Sequence, residues 1–99
     1  MAQSLGQIIR EARKSKGFTQ RELADKVKKE DGTAITPQYF NDIEFDRRTP
    51  SEHVARGLAK ALDLDPDYIV VLTGFVPEDV REKLTEENVK KAMSLFRKK

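Results

Sequence analysis

The side chains best suited to molecular recognition lie in one short segment, residues 36–44. Thr36 followed by Pro37 has the pattern of a helix N-cap and a first helical residue, where the missing N–H of proline costs nothing. Phe40 and Ile43 have the spacing of core residues, which leaves an outward face made of Pro37, Gln38, Tyr39, Asn41 and Asp42. Solvated helix faces usually carry Lys and Glu. Hydrogen-bonding groups of this kind therefore indicate a surface that recognises a ligand.

Catalytic and metal-binding chemistry find no support in the sequence. The chain has no cysteine, which excludes disulfides, thiolate metal sites and a cysteine nucleophile. No glycine-rich phosphate loop, catalytic carboxylate pair or nucleophile–base constellation is recognisable. His53 has no second ligand nearby in the sequence and is predicted to be a surface residue. We expect neither an enzyme nor a bound cofactor or metal.

The preceding elements must position this segment. Helical spacing predicts a first helix from about residue 4 to residue 16, ended by Gly17. A second helix is predicted to begin with a capping box between Thr19 and Glu22. We expect this helix to continue about one turn beyond Val27 and then to enter a loop, from which Ile35 returns to the core.

The prolines indicate an all-α fold. They are predicted to lie at helix starts, and they are Pro37, Pro50, Pro66 and Pro77. The fourth helix is expected to begin with a capping box between Thr49 and Glu52, and the fifth to cover residues 67–72. We expect one domain over residues 1–76 and a helical tail over residues 77–99, with a second tail helix capped near Thr85.

The tail has an apolar stripe formed by Val80, Leu84, Val89, Ala92, Met93 and Phe96. It could pack on its own domain, pair with a second copy of the chain, or be a disordered end.

Charge and hydropathy are informative about location and partner. The net charge is only +2, but residues 1–29 hold eight Lys or Arg against three acids. This excess suits an anionic partner, although an ordinary solvated face would also account for it. No apolar run approaches the length of a membrane span, and the start does not resemble a signal peptide. We expect a soluble, cytoplasmic protein, with association to the nucleoid as one possibility and no membrane partner.

A wider set of residues carries a family resemblance between about residues 4 and 74. Its members are Arg13, Gly17, Thr19, Gln20, Leu23, Ala24, Thr36, Pro37, Phe40, Asn41, Ile43, Glu44 and the later Arg48-Thr-Pro-Ser. In combination they resemble the helix-turn-helix domain of lambda-type repressors, the Cro/Xre family. The resemblance implies a compact five-helix domain whose third helix enters the major groove of DNA.

The resemblance also implies roles for individual residues. Gln20 would hold a phosphate and brace the third helix, while Arg47 and Arg48 would touch the sugar-phosphate backbone. Beside the resemblance, we expect Arg21 to help position the duplex, although it could be a solvated arginine, as could the loop pair. Arg13 would form a structural ion pair with Glu44.

On the third helix itself, the side-chain amide of Gln38 matches N6 and N7 of adenine. Asp42 could accept from cytosine N4, whereas Asn41 is better suited to backbone contacts. Tyr39 could contact a sugar or phosphate, or cover the core edge. Thr36 would cap its helix first and touch a phosphate second.

One departure from the family concerns the connector between the second and third helices. It has seven residues, 28–34, where about one is usual. This connector could stay clear of DNA, or it could bring Lys28 and Lys29 to a phosphate while Glu30 and Asp31 oppose the contact.

These features together predict a sequence-specific regulator of transcription, a repressor that binds a palindromic double-stranded DNA operator as a homodimer. The alternative is a protein-interaction module or an antitoxin on the same scaffold, with a protein partner bound through residues 77–99.

Overall fold

The computed structural model describes residues 3–74 and 85–97, with side chains up to residue 91. Within these ranges the chain forms six helices and no strand, which confirms the all-α prediction. The helices are α1 (Leu5–Lys16), α2 (Gln20–Lys26), α3 (Pro37–Glu44), α4 (Glu52–Leu62), α5 (Pro66–Leu72) and α6 (Glu86–Arg97).

The helix boundaries follow from local capping. Ser4, Thr19 and Thr36 each accept a hydrogen bond from the backbone N–H three residues later. The capping box predicted between Thr19 and Glu22 is present, and it lowers the pKa of Glu22, mainly through the hydrogen bond from the Thr19 backbone N–H to its carboxylate. α1 ends at a left-handed glycine, as predicted.

The predicted start of α4 is wrong by two residues. Ser51 caps the helix by accepting from the backbone N–H of Val54 at 3.2 Å, so the expected box between Thr49 and Glu52 is not formed. Pro50 precedes the cap and is buried, which indicates that packing rather than helix initiation determines its place. Pro37 and Pro66 do occupy first helical positions, while Pro77 lies outside the described residues.

The expected extension of α2 is also wrong. α2 ends at Lys26, and Val27 is extended and buried. The backbone N–H of Ile35 donates to the carbonyl of Val27 at 3.0 Å, and an antiparallel bridge joins Lys28 to Ala34. Residues 28–34 thus form a small hairpin, which we call the connector hairpin. As predicted, Ile35 returns to the core.

The core is formed by apolar side chains from α1 to α5 and the connector. Its largest fully buried members include Phe40, Ile9, Leu23, Ile35, Ile43, Leu58 and Ile69. α3 packs against α1 and α2, and α4 packs against α1 and α5. α6 packs on α5 with Val89 buried, so the described part of the tail packs on its own chain. The first predicted tail helix lies outside the described residues.

Candidate nucleic-acid interface

α3 is fixed on one side and open on the other. Phe40 and Ile43 are at most 1% exposed, whereas the first turn, with Thr36, Pro37 and Gln38, is exposed. The Thr36 hydroxyl accepts from the backbone N–H of Tyr39 at 3.0 Å, as an N-cap does. The protein therefore presents the beginning of α3 to its surroundings on a rigid support.

Three of the predicted outward side chains are only half-exposed. Tyr39, Asn41 and Asp42 are all of intermediate burial, because each contacts a neighbouring element or loop. The guanidinium of Arg48 lies over the Tyr39 ring, 5.1 Å from its centroid. These three positions of the predicted outward face are therefore partly covered by the protein itself.

The buried carboxylate of Glu44, at the end of α3, joins this helix to α1 and α2. The Glu44 side chain is fully buried, and its oxygens accept from Arg13 Nε at 2.6 Å and Arg13 Nη2 at 3.2 Å. Gln20 Nε2 also donates to Glu44, at 2.8 Å. Arg13 uses its remaining terminal nitrogen to donate to the Phe18 carbonyl at 2.9 Å. The ion pair is therefore satisfied on both sides, as a buried charge requires.

Gln20 also braces α3 from the start of α2. Its side-chain oxygen accepts from Asn41 Nδ2 at 3.3 Å, while its amide nitrogen binds Glu44. The amide thereby holds the start of α2 against two positions of α3. Asn41 thus uses one of its two amide hydrogens inside the protein, in line with a positioning role.

Asp42 connects the side-chain amide of Gln38 to a loop cation, Arg47. Its Oδ1 accepts from Gln38 Nε2 at 3.1 Å and lies 3.4 Å from Arg47 Nη1. An amide nitrogen carries two hydrogens. Gln38 can therefore keep one hydrogen on Asp42 and still offer the other, together with its oxygen, to the edge of a base.

Cations flank this exposed turn. Arg47 and Arg48 are exposed in the loop after α3, and Arg21 is exposed on the first turn of α2, apart from the networks above. Phe45 is 49% exposed, and the guanidiniums of Arg10 and Arg47 lie 5.5 and 5.2 Å from its ring centroid. The result is an exposed polar turn with Arg47 and Arg48 beside its helix, an arrangement suited to a polyanion.

Two contacts that the sequence analysis missed hold the loop after α3 in place. Asp46 has a left-handed backbone with φ of 59°, and its carboxylate accepts from Ser4 Oγ at 2.6 Å and from the Gly6 backbone N–H at 3.0 Å. A Cβ added to Gly6 would lie 2.4 Å from the Glu44 carbonyl oxygen. A glycine inside a predicted helix was the available signal for such close packing.

Other kinds of site are not supported in the described parts of the chain. His53 is exposed, as predicted, and residues 3–74 and 85–91 contain no group of side chains arranged to hold a metal. None of the helices in the described ranges has the length and apolar character needed to cross a bilayer.

Comparison with known proteins agrees with this geometry. A family model described as helix-turn-helix, of the lambda-repressor-like Cro type, matches residues 9–69, which is more than half of the chain. The protein therefore belongs to this helix-turn-helix family, whose domains bind DNA and regulate transcription and are typically not enzymes. The searches of curated proteins and of solved structures gave no significant match.

Proposed function

We propose that this protein is a sequence-specific transcriptional repressor that binds a palindromic operator in double-stranded DNA as a homodimer. In this proposal the first turn of α3 enters the major groove. The protein acts in the cytoplasm, at the nucleoid, and residues 1–76 form the DNA-binding domain. Residues 77–99 form a helical tail that packs on this domain and is available to a partner protein.

The main supporting observation is the exposed first turn of α3, supported from behind by buried residues. Helix-turn-helix domains use the beginning of this helix to contact base edges. Here the exposed amide of Gln38 stands at that place and Asp42 orients it. Glutamine can bind adenine through N6 and N7 simultaneously, which makes an A·T pair the expected target.

The cations beside this turn supply contacts to the DNA backbone. Arg48 lies over the Tyr39 ring and lines a pocket with Thr36, and Arg47 pairs with Asp42, so both cations lie beside α3. Arg21 is exposed on the first turn of α2 and is the third candidate for such a contact. Such contacts set the register and orientation of the protein on the duplex without reading its sequence. Asp42 holds Arg47 in the same network as Gln38, which links the position of the backbone contact to that of the base contact.

The homodimer follows from the small size of one recognition surface. A single short helix reads only a few base pairs, which is too little to select one site in a genome. Two copies related by a two-fold axis would read half-sites about one helical turn, or about 34 Å, apart.

Selection from a random pool of duplexes tests the proposal most directly. We expect enrichment of an inverted repeat with this spacing, and retention of the enriched fragment in gel shifts at about 150 mM salt, where nonspecific phosphate binding has weakened strongly. Sedimentation should show a dimer on this fragment. Binding that disappears equally for all fragments would favour the alternative, a protein-interaction module or antitoxin on the same scaffold.

Substitution of Gln38 separates base contact from backbone contact. Gln38→Ala should weaken binding to the selected site by about 1–3 kcal/mol and leave binding to random DNA nearly unchanged. Arg48→Ala serves as the comparison, because loss of a phosphate contact should weaken both complexes alike. Equal losses on both duplexes for Gln38→Ala would contradict base contact by this residue.

A further inference from the structure

The connector hairpin places two neighbouring lysines on opposite faces. Successive side chains of an extended strand point to opposite sides. Lys29 lines an open pocket of about 400 Å³ together with Thr36, Tyr39 and Arg48. Lys28 instead lines a different groove, with Phe18, Lys26, His53 and Arg56 among its neighbours. Lys28 and Lys29 are adjacent residues of the same type, but they thus face different surroundings.

Backbone hydrogen bonds fix the position of Lys29. Its N–H donates to the Thr33 carbonyl at 2.7 Å, and its carbonyl accepts from the Gly32 N–H at 2.9 Å. Gly32 has a φ of 87°, which suits the tight turn. The Asp31 carboxylate closes the turn by accepting from the backbone N–H of Thr33 at 2.9 Å and from its hydroxyl at 2.7 Å. Lys29 is therefore carried by a defined hairpin rather than by an irregular loop.

The pocket itself brings a cation of the connector next to the surface that we propose binds DNA. Arg48, from the loop after α3, is oriented by the ring of Tyr39, and Thr36 opens α3. Glu30 also lines the pocket, but its carboxylate accepts from Ser51 Oγ at 3.4 Å. This contact ties the hairpin to the start of α4, and the two cations still outnumber the single carboxylate.

We propose that Lys29 binds a phosphate of the DNA backbone beside the phosphate contact of Arg48, so that the connector hairpin is part of the DNA interface. This inference rests on the proposed function, because it places a further contact on the same surface. Lys28, which faces the other way, takes no part in the interface. The ligand is the sugar-phosphate backbone, and the contact adds affinity without sequence preference.

The salt dependence of binding tests this proposal. Affinity for the selected duplex is measured by fluorescence anisotropy between about 50 and 200 mM salt for the wild type and for Lys29→Ala, Lys28→Ala and Arg48→Ala. Each lost phosphate contact should reduce the slope of log K against log[salt] by about 0.9. We expect this reduction for Lys29→Ala and Arg48→Ala, and an unchanged slope for Lys28→Ala. Circular dichroism checks that every variant is folded.

The outcomes distinguish this proposal from the proposed function. If the wild type binds DNA and Arg48→Ala flattens the slope while Lys29→Ala does not, the proposed contact of Lys29 is wrong and the function stands. Equal flattening by Lys28→Ala would contradict the assignment of opposite faces. A wild type that binds no duplex would refute the proposed function itself.

A second measurement uses the absence of cysteine from the chain. Lys29→Cys and Lys28→Cys each create a unique thiol to which an iron chelate that cleaves DNA can be attached. We expect strand cleavage at the operator edge from position 29 and much weaker cleavage from position 28. Equal cleavage from both positions, or none from position 29, would overturn the proposal.

Discussion

Replacing Arg13 with methionine should strongly destabilise the protein, because it breaks a buried ion pair with Glu44 of α3. The substitution keeps much of the apolar volume of the side chain and removes its charge and its donors. Glu44 then loses both hydrogen bonds from the guanidinium and keeps the one from Gln20 Nε2. Because the Glu44 side chain is 0% exposed and that of Arg13 only 12%, water cannot readily replace the lost partner.

The expected loss follows from this burial. Removing one partner of a buried, hydrogen-bonded ion pair costs about 3–5 kcal/mol, since the other charge stays buried without compensation. A domain of this size has a total free energy of unfolding of about 5–15 kcal/mol. The melting temperature should therefore fall by at least about 12 °C, at about 4–8 °C for each kcal/mol.

Urea unfolding followed by circular dichroism at 222 nm measures this loss. Lys91→Met is a suitable control, because it removes a cation from an exposed pair with Glu87, whose side chains are 71% and 77% exposed. That change should alter the free energy of unfolding by at most about 0.5 kcal/mol. Adding Glu44→Gln to Arg13→Met should restore part of the loss, because it removes the uncompensated charge.

Two results would refute this reasoning. One is a loss below about 1 kcal/mol for Arg13→Met, which is the range of exposed pairs. The other is a further loss when Glu44→Gln is added, since removal of an uncompensated buried charge should stabilise the fold.

Two further predictions concern helix contacts and pH. Gly6→Ala should lower the free energy of unfolding by about 1–3 kcal/mol, because the new Cβ would lie 2.4 Å from a backbone oxygen and overpack the contact. This loss is expected even though alanine favours helices more than glycine does. Gly57→Ala is the control, because its nearest neighbour is a side-chain methyl at 3.2 Å, and an equal loss in both variants would contradict the clash. Glu22 has a lowered pKa because the Thr19 backbone N–H binds its carboxylate, so its ionised form stabilises the folded state. This contribution should be complete above the ordinary glutamate value of 4.5 and be lost as the pH falls through the lower folded-state pKa. Urea unfolding of the wild type and Glu22→Gln across this pH range measures it, and a difference that does not change with pH would contradict the prediction.

Local interactions explain which helix boundaries could be predicted. Thr19 and Thr36 cap their helices through bonds to N–H groups three residues away, and Gly17 adopts the left-handed conformation that ends α1. Such contacts depend on few residues and appear directly as sequence patterns. The predicted start of α4 was wrong because Thr49 and Ser51 can both cap a helix. The burial of Pro50 favours Ser51 as the cap.

The connector could not be predicted because its structure depends on pairing between separated residues. The hydrogen bond between Ile35 and Val27 ends α2 early and creates the hairpin. Pairing of this kind is decided by the burial of both side chains, which are 2% and 1% exposed. The sequence therefore left open whether the connector would stay clear of DNA or bring Lys28 and Lys29 to a phosphate.

By itself, the sequence determined the all-α class, the helix-turn-helix family and the exposed position of Gln38 at the start of α3, because helical periodicity and capping are short-range properties. Tertiary structure decided that Asp42 orients Gln38, that Gln20 and Arg13 meet on one buried carboxylate, and that neighbouring lysines face opposite surfaces. These arrangements join groups on different elements, or depend on how an element is placed, and only packing brings such groups within bonding distance.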